Sequence, residues 1–284
     1  MKGNLEQGDF LMRHSVKPKG EDLESPDYPG ISDKGVELAK VRAKELLDNL
    51  EKSKEGTVMF ISGASELVRT KSTALAIGNE IKNIVQQEEM EDVMVITPQD
   101  FEGEDMKEAD SHRKKIDQLV SQIQANPKKR IIVDIPLFMK EFSGAQGLLD
   151  KQEKLTEYTK AIMKASDGNG KEAFKEWLRD QGQFEGVQGP NPKQVAENQL
   201  AGIKRLREFA KKYIPERPLA VGSVGHSWHI DTAAIYLANN GEVNLPGWEK
   251  INGQIMGETR MVKIDEEKPG KPTLAYGDIK VPLE

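Results

Sequence analysis

Short apolar runs of strand length alternate with longer stretches in which apolar residues recur every three or four positions. These two periods separate buried strands from amphipathic helices. Asp9–Met12 reads as a short buried strand ending at the pair Arg13–His14, and a polar loop with Pro and Gly follows from Ser15 to Ile31. Ser32 is placed to cap a helix whose apolar face is Val36, Ala39, Ala43, Leu46, Leu47 and Leu50. Thr57–Ser62 (TVMFIS) is β-branched, aromatic and of strand length. A second helix is marked by Leu67, Ala74, Ile77, Ile81 and Ile84, and a third strand, Val93–Thr97, is closed by Pro98. Later, Val195–Tyr213 is helical by pattern, Leu219–Val224 reads as a buried strand, and a helix runs from about Asp231 to Ala238. The tail from Glu258 to Pro282 predicts a strand, a Pro/Gly turn and another strand.

This alternation predicts an α/β fold: a three-layer αβα sandwich with a mostly parallel central sheet covered by helices on both faces. Residues 103–193 depart from it. Polar helical segments dominate there, with turns at Ser143–Gly147, Asp167–Gly170 and Gly186–Pro192. Arg130–Phe138 (RIIVDIPLF) is a strong apolar run that fits either a further strand or an anchor for a cap. The region is expected to be a large, mainly helical cap inserted in a single domain spanning 1–284.

Composition changes this picture little. Of 284 residues, 37% are apolar and 31% charged, enough for a folded core. No stretch reaches the roughly 18 apolar residues of a spanning helix, so no membrane role is expected. The N-terminus lacks an apolar signal region, and cysteine is absent, which excludes disulfides and thiolate sites. The expectation is a cytoplasmic protein. A net charge of −6 without a basic run argues against nucleic acid as a partner. It does not argue against a small anion, because a few converging Arg and Lys residues focus a local positive potential.

The candidate chemistry sits where strands end. Arg13–His14 closes the first strand, Arg69 follows the SGAS loop after TVMFIS, and His226 follows LAVGSVG. Loops after parallel strands gather along the carboxyl edge of such a sheet, where ligands bind. His229, three residues beyond His226, reads as a packed or surface histidine because no carboxylate stands at ligand spacing. Asp167–Gly–Asn–Gly resembles a calcium loop, but its register puts Ala165 at the first ligand position, so it reads as a helix connection. Phe174, Trp177 and Leu178 are expected to pack the cap onto the body.

LMRHS, ISDKGVELA, SGASELVRTKSTALAI and VGHSWHIDTAAIYL, in that order, resemble the histidine phosphatase superfamily and its phosphoglycerate-mutase-like branch. That family shows an RHG strand end, an LTxxG helix entry, an arginine in an S-x-x-x-R-x-x-x-T-A stretch and a second histidine after a late strand. The resemblance spans about residues 9–97 and 195–240. It implies a phosphomonoesterase without metal or cofactor that acts on a small phosphorylated substrate, or a mutase using the same nucleophile. His14 would be phosphorylated as a neutral imidazole, with Arg13, Arg69 and His226 holding the phosphoryl oxygens. Ser15, Lys17 and Ser227 would be further substrate contacts. The proton donor is sought in TPQDFEGED, which offers Asp100, Glu102, Glu104 and Asp105. Glu102 is favoured because it lies beside Phe101, where apolar surface raises a carboxyl pKa. Ser15 departs from the family's glycine, and its hydroxyl would either bind an oxygen or crowd it. RHSVKP also echoes the RHGxRxP signature of the acid-phosphatase branch, whose secretion and disulfides have no counterpart here.

Overall fold

The computed structural model describes residues 5–63, 67–101, 108–135, 140–142, 147–150, 154–268 and 271–283. Its strands are β1 (Phe10–Arg13), β2 (Val58–Ser62), β3 (Val93–Ile96), β4 (Arg130–Ile135), β5 (Gln183–Phe184), β6 (Val187–Gln188), β7 (Leu219–Gly225), β8 (Met261–Lys268), β9 (Lys271–Tyr276) and β10 (Ile279–Pro282). Its helices are α1 (Asp33–Glu51), α2 (Val68–Gln87), α3 (Glu108–Ala125), α4 (Glu157–Ala165), α5 (Gly170–Asp180), α6 (Pro192–Tyr213), α7 (Ser227–Ala238) and α8 (Leu245–Lys250). Among the described residues no helix is long and apolar enough to cross a membrane.

Eight strands form one sheet in the order β10-β9-β8-β1-β7-β2-β4-β3. Strands β1, β7, β2, β4 and β3 are mutually parallel, whereas β8, β9 and β10 continue the sheet antiparallel beyond β1. Alternate side chains of a strand point to opposite faces. Phe10, Met12, Met59, Ile61 and Ile132 pack with the apolar faces of α1 and α2. On the opposite face Val58, Phe60, Ile131 and Val133 pack with α3 and the end of α6, and Leu11 and Val221 join α6 and α7. The sandwich therefore has helices on both sides.

The structure redraws the expected insertion. Arg130–Phe138 contributes β4, paired in parallel with β2 on one side and β3 on the other. A run that is apolar at successive positions belongs in a strand covered on both faces, so α3 and β4 are body and not cap. The excursion shrinks to the stretch after β4, with α4, α5 and the β5–β6 hairpin. Asn169 caps α5 through its side chain, so Asp167–Gly170 is a helix connection. Trp177 is fully buried, donates from Nε1 to the Pro190 carbonyl (2.7 Å), and stacks on Trp228 of α7 at 5.6 Å and 22°. Phe174 meets Trp177, Trp228 and Trp248 edge-on or tilted, which joins α5 to α7 and α8. The tail holds three strands where two were expected, because the Gly277–Asp278 turn folds β10 back on β9.

Candidate active site

Strand β1 pairs with β7 in parallel, Arg13 lying opposite Gly225. The ladder continues one step further, where the His14 amide donates to the Gly225 carbonyl at 2.9 Å. The residues that leave these neighbouring strands, His14 and His226, consequently lie side by side, with ring centroids 5.3 Å apart in an edge-on arrangement. Both are buried, at 5% and 6% exposure. Arg69, in the first turn of α2, reaches the same place and stands 3.4 Å from His226 Nδ1. The structure thus brings together His14, His226 and Arg69 from loops after three adjacent parallel strands.

These contacts fix the imidazole tautomers. His14 Nδ1 lies 2.6 Å from the Ser15 carbonyl, which only accepts, so Nδ1 carries the proton and Nε2 keeps its lone pair. A guanidinium only donates, so His226 Nδ1 accepts from Arg69 and the proton of the neutral ring sits on Nε2. The two rings therefore offer opposite functions, one a nucleophilic nitrogen and the other a hydrogen-bond donor. Burial, then the charge of Arg69, hold the His14 pKa well below the ordinary histidine value; Arg13 and Lys17 act in the same direction. The bond to the Ser15 carbonyl opposes them without prevailing. His226 is likewise held well below by burial first and by His14, His229, Arg69 and Lys17 after it.

Two helix N-termini meet here. Where an N-cap residue is described, α1, α4, α5, α6 and α8 have their first amides bonded by a capping side chain. In α2 and α7, which begin beside Arg69 and His226, the N-cap residues Leu67 and His226 make no such bond. A helix N-terminus is suited to an anion.

The other expected residues divide. Lys17 is exposed and its field reaches both histidines. Ser227 is half-buried as the first residue of α7. Ser15 is bonded within the body of the protein. It is fully buried, its hydroxyl donates to the Gly35 carbonyl at 2.6 Å, and its amide donates to Thr73 Oγ1 at 3.0 Å. It ties the end of β1 to the starts of α1 and α2. Thr73 in turn donates to the Arg69 carbonyl at 2.7 Å. Its place in the R-x-x-x-T-A stretch was the available signal for it. Asp100 is tied to other partners. Burial raises its pKa, but bonds to Lys82 (2.5 Å) and to the Thr97 amide and hydroxyl (2.7 and 3.0 Å) outweigh that and hold it below the ordinary value. Glu102, Glu104 and Asp105 lie outside the described residues.

Arg13 is held from one side by residues that the pattern did not reveal. Its Nη1 donates to the Met256 carbonyl at 2.5 Å, and its Nη2 pairs with Glu258 at 2.9 Å. The Met256 amide donates to Asp231 Oδ1 (3.0 Å), which also receives the Tyr276 hydroxyl (2.7 Å). Burial raises the Asp231 pKa to about 7, against those two bonds and the charge of Arg13. His229 is buried in α7, 5.8 Å from the His226 ring.

No family model matches the chain, and no curated protein matches its sequence. Solved structures similar to it include a mycobacterial glucosyl-3-phosphoglycerate phosphatase, 12% identical, covering 95% of this chain and 98% of that one with a TM-score of 0.45. An alpha-ribazole phosphatase from Shigella flexneri is 13% identical over 97% and 98% of the two chains, with a TM-score of 0.40. A phosphoglycerate mutase from Bacillus anthracis is 11% identical over 98% and 93%, with a TM-score of 0.39. In each case the likeness extends along nearly the whole of both chains.

Proposed function

We propose that the protein is a phosphomonoesterase acting on a small phosphorylated substrate through a phosphohistidine at His14. The observation that carries this reading is the pair of buried neutral imidazoles, 5.3 Å apart, with Arg69 against one of them. His14 Nε2 attacks phosphorus in line, an N–P bond forms, and the bond from phosphorus to the ester oxygen breaks. Arg69, Arg13 and the Nε2–H of His226 hold the equatorial oxygens as their charge develops. A carboxylic acid, Glu102 in this reading, gives its proton to the leaving oxygen. Water then attacks phosphorus, giving a proton back to the Glu102 carboxylate as the N–P bond breaks, and phosphate leaves with His14 and the acid restored. Every charge in the sequence is met by a side chain, so no step calls for a metal.

The test is hydrolysis of an aryl phosphate in excess chelator by the wild type and by His14→Ala. The expected result is activity that survives chelation and falls by at least about a thousandfold in the variant. Activity that persists in His14→Ala overturns the mechanism. An inactive wild type moves the reading to a mutase of narrow specificity or to a phosphate-binding protein.

A further inference from the structure

Glu258 reaches the site through the backbone. The Arg13 amide donates to the Arg260 carbonyl (3.0 Å) and the Thr259 amide to the Arg13 carbonyl (3.1 Å), so the segment before β8 is clamped to the end of β1. Thr259 is buried with a φ of 55°, a left-handed turn that places Glu258 beside Arg13. The resulting ion pair is lopsided. Arg13 is anchored at Nη1 by the Met256 carbonyl, and Met256 is itself pinned by the fully buried Asp231. Glu258 has a side chain 38% exposed, against 21% for Arg13. The arginine is fixed, and the carboxylate is the partner at the rim.

We propose that Glu258 is a specificity-determining residue that selects phosphate esters bearing hydroxyl or ammonium groups near the phosphoryl and rejects those bearing a second anion there. The inference rests on the reading of His14, Arg13 and Arg69 as a phosphoryl site. A phosphoryl oxygen that takes up Arg13 Nη2 shares that group with the Glu258 carboxylate. A substrate carboxylate or second phosphate next to it meets a like charge in a partly desolvated place, which costs affinity. A hydroxyl or ammonium group meets an acceptor instead. Unlike the resident arginines, which attract any phosphate, Glu258 distinguishes one ester from another.

Glycerol 3-phosphate and 3-phosphoglycerate differ only by a hydroxymethyl group in place of a carboxylate, and they make the test. Binding of inorganic phosphate and of both esters is measured by calorimetry in the wild type, Glu258→Gln and Glu258→Ala, and kcat/KM for both esters is measured alongside. In both variants phosphate is expected to bind about tenfold tighter. The preference for glycerol 3-phosphate over 3-phosphoglycerate is expected to fall by about tenfold. Unchanged phosphate affinity and an unchanged preference overturn the proposal. A wild type that binds both esters with this selectivity but hydrolyses neither overturns the phosphatase reading and leaves the role of Glu258 standing. Absence of binding by all three proteins overturns both.

Discussion

At the level of single residues, the decisive fact is that His14 is neutral because of where it sits. Burial and the Arg69 charge hold its pKa well below the usual 6.5, so it stays unprotonated across the neutral range and below. The profile of kcat/KM against pH, corrected for the substrate's own phosphate ionisation at about 6, is therefore expected to show no acid limb near 6.5. Restoring the solvent-exposed value by any substitution that opens the site would bring that limb back. Ser15 and Gly35 form a second pair, joined by a buried hydrogen bond. Ser15→Gly removes a buried hydrogen bond and is expected to cost about 1 kcal/mol in denaturant melts. A Cβ at position 35 would stand 2.7 Å from the Val16 carbonyl oxygen, so Gly35→Ala forces the loop aside. That variant is expected to lose about 1–3 kcal/mol. The sequence made His14, Arg69 and His226 visible because strand ends are recognisable and their residue types are chemically distinctive. It could not show Ser15 facing Gly35, nor Arg13 facing Met256 and Glu258, because those partners are brought near only by the closed sheet.

For secondary-structure elements the instructive case is β4. Its apolar run was plain, but the run fitted either a strand or an anchor for a cap. The structure shows why an aspartate is tolerated there. Asp134 lies on the α2 side of the sheet against Gly78 and Thr97, and burial pushes its pKa up to about 8. In the unfolded chain the same carboxyl titrates near its ordinary value of 3.8, so between those two pH values the folded state binds the extra proton. Stability contributed by this group is accordingly lost as the pH rises from about 4 towards 8. Asp134→Asn is expected to be neutral near pH 4 and to stabilise the protein by on the order of 6 kcal/mol above pH 8. Thermal melts at several pH values read that crossing curve directly. Elements with a clean period, such as α1, α2, α6 and β7, were legible to within a few residues. The six-residue α8, with Pro and Gly inside it, and the short β10 beyond Gly277–Asp278 carried too little periodicity to be seen.

For the whole molecule, the long α6 is fastened to the centre of the sheet by a buried ion pair. Arg207 donates to Asp9 Oδ1, which also accepts from the Val221 amide at 3.0 Å, and Asp9 is fully buried. Arg207→Met keeps the length of the side chain but strands the carboxylate. That is expected to cost about 3–5 kcal/mol, seen as a lower unfolding midpoint. The periodicity of α6 points Ile203, Leu206 and Phe209 inward; the first two are buried, and Phe209 is half-buried beside Tyr213. Arg207 is one of several basic residues in this helix, and its partner 198 positions away makes it a core residue. The α4–α5 excursion is joined to the body differently, through aromatic rings. The chain has three tryptophans, and all three belong to that joint. Two indoles stacked at 5.6 Å couple their excited states, so the protein should carry a paired positive and negative band in its near-ultraviolet circular dichroism. Trp177→Phe would erase the pair while leaving Trp228 and Trp248 to fluoresce. Since Trp228 sits two residues after His226, an anion bound between His14 and His226 is expected to change the emission of this joint, which a phosphate titration would read without a label.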